Sequence, residues 1–104
     1  MAAPYNPPVK GEDFVMRIAL TDYATSGTLR ISPTIAAGDF KLSKDGGALA
    51  DLAALPVIEP AGSMWVKVAL SASEMTADTV AVQAVDQTAV KEWADWAICL
   101  LTTA

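Results

Sequence analysis

Asp39-Phe40-Lys41-Leu42-Ser43-Lys44-Asp45-Gly46-Gly47 decides the fold. Its first six residues alternate polar and apolar, with Phe40 and Leu42 on one side, which is the period of a half-buried strand. Asp-Gly then follows directly, and the tight primed turns that join antiparallel strands demand positive φ, so this pair marks a hairpin. The returning strand begins near Ala48. The alanine-rich residues 48–55 leave a weak strand and a helical turn both open.

The same period recurs on either side. Phe14, Met16, Ile18 and Leu20 point one way, with Arg17 and Thr21 opposite. A helix competes there, but its 3.6-residue stripe is poorer. Ala24-Thr25-Ser26-Gly27 reads as a turn with Gly27 free to take positive φ. Thr28 to Ile35 is a short strand that Pro33 confines to an edge or a bulge. Val57-Ile58-Glu59 is a short strand between Pro56 and Pro60. In Met64 to Leu70, Met64, Val66, Val68 and Leu70 face inward, and Trp65 and Lys67 outward. Ser71 and Glu74 have capping-box spacing over a single turn. Thr79 to Val85 places Val80, Val82 and Ala84 on one face. In Trp93 to Leu101 the face of Trp96, Ile98 and Leu100 is inward, and Trp93, Asp95 and Cys99 lie on the other. Six to eight short strands with turns every 8–12 residues or so predict an all-β, single antiparallel β-sandwich of immunoglobulin-like layout.

Pro4, Pro7 and Pro8 crowd the beginning of the chain, so residues 1–12 read as an extended N-terminal arm and 13–104 as the sandwich domain. The arm is either a frayed end or a strap across a neighbouring subunit, with Tyr5, Pro7 and Pro8 as its contacts.

Composition excludes more than it assigns. The 104 residues contain no histidine and one cysteine, Cys99. Histidine-dependent triads, an HExxH zinc site, a CxxC pair and an intramolecular disulfide are therefore ruled out. Twelve acidic residues against seven basic ones argue against nucleic acid as a partner. No apolar run approaches the ~18 residues of a membrane helix, and Met1 to Pro8 lacks signal-peptide features. The scattered aspartates lack calcium-loop spacing and suit turns. No catalytic residue, metal or cofactor is expected.

Large rings on an outer face favour an interface. Trp65 and Trp93 take that parity, and three readings stand: cover by loops or the arm, contact with another subunit, or a platform stacking on sugar rings. Arg17 and Lys67 solubilise their face. Cys99 is a small interior or interfacial hydrophobe.

Leu42-Ser43-Lys44-Asp45-Gly46-Gly47, then Gly62 through Leu70 with Ser71-Ala72-Ser73-Glu74, then Thr79-Val80-Ala81-Val82-Gln83-Ala84, run in a characteristic order. Over roughly residues 12–100 this resembles a small β-sandwich domain of tailed-bacteriophage structural proteins. Its core runs as a strand, a Lys-Asp-Gly-Gly turn, a Gly-x-Trp strand and an apolar strand with alternating valines. The usual Gly-Trp-Tyr-Lys run reads here as Gly62-Ser63-Met64-Trp65-Val66-Lys67. The resemblance implies a virion part, as head decoration or in the neck, tail or baseplate. Its partners are then other virion proteins and copies of itself. A carbohydrate-binding module for attachment to a host surface is the alternative, with a glycan as partner.

Overall fold

The computed structural model describes residues 7–25 and 27–103, and among them there is no α-helix. Seven strands form: β1 (Phe14–Ala19), β2 (Phe40–Lys44), β3 (Ala50–Asp51), β4 (Val57–Ile58), β5 (Trp65–Leu70), β6 (Thr79–Ala84) and β7 (Trp96–Leu101). They make two antiparallel sheets, ordered β1-β5-β4 and β3-β2-β6-β7. These are the B-E-D and C′-C-F-G pairings of an immunoglobulin-type sandwich.

The alternation read in the sequence is what closes the core. Phe14, Ile18 and Leu20 join Val66, Val68 and Leu70 from one sheet, and Phe40, Leu42, Val80, Val82, Ala84 and Leu100 meet them from the other. Period-two burial leaves each of these sheets one wet face. The hairpin forms where expected. Asp45 and Gly46 both take positive φ, at 50° and 77°, and the Gly47 amide donates to the Lys44 carbonyl at 2.9 Å. That is a type I′ turn. Residues 48–55 hold the two-residue β3 and no helical turn. The Ser71–Glu74 box is reciprocal: the Ser71 amide donates to Glu74 Oε1 at 2.8 Å, and the Glu74 amide to Ser71 Oγ at 3.2 Å.

Three expectations are corrected. Thr28–Ile35 is not a strand; only Leu29 bridges, to Thr21. Pro33 offers no amide, and Ser32 is left-handed at φ 49°, so the ladder stops. The last strand begins at Trp96 rather than Trp93. Before it, the chain crosses to the other sheet: Trp93 bridges Asp22, the Ala94 amide donates to Thr21, and the Tyr23 amide donates to Glu92. The arm is also shorter than expected. Thr103 donates to the Pro8 carbonyl at 3.0 Å, Lys10 donates to Thr103 at 2.8 Å, and Gly11 donates to Met75 at 3.0 Å. Pro8 through Gly11 are therefore part of the sandwich.

Candidate interaction surfaces

Register sets the outer face of the first sheet. Ala19 lies opposite Trp65, and Arg17 opposite Lys67, which in turn faces Val57 on β4. Like charges directly opposed on one face are destabilising. Glu59 relieves the pair, one carboxylate oxygen 2.9 Å from Arg17 and the other 3.5 Å from Lys67. At the sheet's end Trp65 keeps 48% of its surface in solvent. Val57, in the row of Lys67 and Arg17, is similarly open. This face thus carries an apolar fringe around a charged centre, as the outward parity of Trp65 predicts.

Trp93 corrects the other half of that expectation. It is wholly buried. Its Nε1–H donates to the Thr34 carbonyl at 3.1 Å, and its ring lies 6.0 Å from Phe40. Phe40 also meets Trp96 at 6.3 Å, so one phenylalanine holds two indoles. The irregular step at Ala94 and Asp95 breaks the β7 alternation, so the parity of Trp96–Leu101 does not extend back to Trp93. Trp96 is half-buried against the core as expected.

Pro7 and Pro8 are half-buried, and Pro8 is bound to its own subunit's Thr103. Residues 8–10 are thus anchored to their own subunit rather than frayed. Tyr5 lies outside the described residues.

The aspartates serve the backbone. Asp22 Oδ1 accepts the Ala24 and Thr25 amides. Asp39 and Asp86 are buried and tie the loops at one end of the sandwich. Asp39 accepts from Ala36 and Gln87. Asp86 accepts from Thr88 through Oδ1 and from Glu92 through Oδ2. Burial opposes ionisation of Asp86, but the amides of Glu92 and Thr88 and the Thr88 hydroxyl outweigh it and hold its pKa below the usual value. The Asp45 carboxylate is lowered chiefly by the Thr79 amide, with the Asp78 amide and Thr79 hydroxyl adding to it against some desolvation. Among the described residues no group of three or more His, Cys, Asp or Glu could hold a metal ion.

The second sheet has an outer face that the sequence reading passed over. Leu49, Ser43, Ala81 and Cys99 line up across it, with Gln83 and Ala97 in the next row. They floor a shallow depression of about 460 Å³. Leu101 beside it is 72% exposed, and Ile98 and Cys99 are exposed as well. The legible signal was the uncharged run Trp96-Ala97-Ile98-Cys99-Leu100-Leu101.

No family model matches this chain, and no curated protein or solved structure matches it.

Proposed function

We propose that this chain is a non-enzymatic structural subunit of a tailed-bacteriophage particle, docking on neighbouring virion proteins through the outer face of the β1-β5-β4 sheet. The observation that carries the docking surface is Trp65, nearly half exposed on a rigid strand, with open Val57 on the same face. Tryptophan is enriched among the few residues that dominate binding energy, because it combines large area with few rotatable bonds. The ion group of Arg17, Glu59 and Lys67 gives the same face a polar centre that fixes orientation more than affinity. The virion setting rests on the sequence resemblance over residues 12–100. Trp93 has no part in this surface.

The test is incorporation. Trp65→Ser, at a half-exposed site, leaves the fold intact, and particles assembled with it are expected to carry at least tenfold less of the subunit than wild-type particles, roughly the loss of 1.4 kcal/mol or more per contact. Equal incorporation overturns this docking surface. Binding of the isolated subunit to a glycan array, abolished by the same substitution, would replace it with attachment to sugars.

A further inference from the structure

The edge of the second sheet carries an inference that stands whether or not the particle reading holds. In an antiparallel pair alternate residues turn their N–H and C=O toward the partner and away from it. On β7 the phase is fixed by its continuation, because Thr102 donates to Asp78 at 3.0 Å while Thr103 bonds outward to Pro8 and Lys10. Leu100, Ile98 and Trp96 therefore pair with β6. Leu101, Cys99 and Ala97 direct their backbone groups out of the sheet.

Among the described residues this window is open, and it is bounded at both ends. Thr103 is occupied by Pro8–Lys10, and Pro8 has no N–H to donate to Leu101, the next acceptor along the edge. At the other end the chain turns away to pair with Thr21 and Tyr23. Exposed edges are ordinarily blunted by a charge, a proline, a bulge or short length. β7 has none of these: it is six residues long, regular in its pairing, and uncharged from Trp96 to Leu101.

We propose that β7 pairs edge to edge with β7 of a second copy of this chain, antiparallel about a two-fold axis through Cys99. The window is self-complementary. With Cys99 opposite Cys99, Leu101 of each copy falls opposite Ala97 of the other, the most exposed large side chain of the strand against its smallest. Every outward N–H and C=O of Ala97, Cys99 and Leu101 then finds a partner. No other register of equal length fits, because sliding either way runs one strand into Pro8–Lys10 or off the end of the window. The pairing also sets Asp95 of each copy, which holds Lys91 at 3.2 Å, toward the end where the other carries Lys10, which holds Asp78 at 3.0 Å. An isologous contact of this kind closes at two copies and joins two four-stranded sheets into one. Its area falls below the ~1,200 Å² of stable standard interfaces, so the dimer is concentration-dependent in free solution and favoured where copies are held close.

The experiment is sedimentation velocity on the full chain across a concentration series, with short bismaleimide cross-linking at Cys99, which is exposed. Opposed Cα atoms in such a pair lie about 5.5 Å apart, within the reagent's span. The expected result is a monomer–dimer equilibrium, a Cys99–Cys99 cross-linked dimer, and at least tenfold weaker association for Leu101→Lys, whose side chain is too exposed for the change to unfold the protein. Val90→Lys, an equally exposed site off this edge, leaves association unchanged. A protein that stays monomeric to roughly 1 mM overturns the inference. So does a dimer that survives Leu101→Lys and yields no Cys99 cross-link, since its contact lies on another face.

Discussion

Trp93 and Trp65 should respond to truncation in opposite ways. Trp93 has none of its surface in solvent, packs on Phe40, and satisfies the Thr34 carbonyl. Trp93→Ala leaves a cavity of indole size and an orphaned acceptor, and large aromatic truncations in cores cost about 3–5 kcal/mol. Domains of this size are stable by about 5–15 kcal/mol, so the variant is near the threshold of folding. At about 4–8 °C per kcal/mol for a domain of this length, the midpoint falls by at least ~12 °C. Trp93→Phe keeps a ring on Phe40 but leaves the Thr34 carbonyl unpaired, which alone costs about 1–3 kcal/mol. Trp65→Ala, with its ring already half in water, costs about 1 kcal/mol. Urea unfolding followed by far-ultraviolet circular dichroism reads all three without depending on indole fluorescence, and unchanged m-values license the comparison. Equal losses for Trp93→Ala and Trp65→Ala, or a larger loss at Trp65, would refute the burial argument.

Other predictions follow from the carboxylates and turns. Asp86, with its lowered pKa, contributes stability that is fully present above its unfolded pKa near 3.9 and is lost as pH falls through its lower folded value. Asp86→Asn is expected to cost about 1–3 kcal/mol at neutral pH and to flatten the acid limb of stability in a pH series of urea melts; an unchanged limb contradicts the assignment. Gly46→Ala meets no atom within 4 Å, so its cost is purely conformational, about 1–2 kcal/mol from placing a Cβ at φ +77°, measurable as a lowered thermal midpoint. Ser71→Ala removes half of the capping box and costs about 1 kcal/mol, with amide exchange rising first at Glu74, whose N–H it orphans.

Much of the architecture was legible because burial on one face imposes period two. Phe14 to Leu20, Phe40 with Leu42, and Val80 to Ala84 all face the core as their alternation requires, and Asp45-Gly46 turns as its φ demands. Parity fails where a strand is interrupted. Trp93 lies only three residues before Trp96, yet Ala94 and Asp95 carry the chain between sheets. No local signal marks that step, since the partners that enforce it, Thr21 and Tyr23, are some seventy residues away. The same long range hid the fate of Pro8 to Gly11, which proline content marks as extended but which only Thr103 and Met75 can anchor. Of the expected contact residues, Trp65 stands where its parity put it. The open edge of β7 escaped notice because an uncharged strand looks the same in sequence whether its neighbour belongs to the same chain or to another.

The central claim, a structural place in a phage particle, is tested most directly by quantitative mass spectrometry of purified particles from the source, taking the ratio of this chain to the major capsid protein. The account predicts a fixed ratio from preparation to preparation: near one to one or a simple fraction for a head decoration, a few copies to a few dozen per particle for neck, tail or baseplate. Complete absence of the chain from intact particles would contradict it.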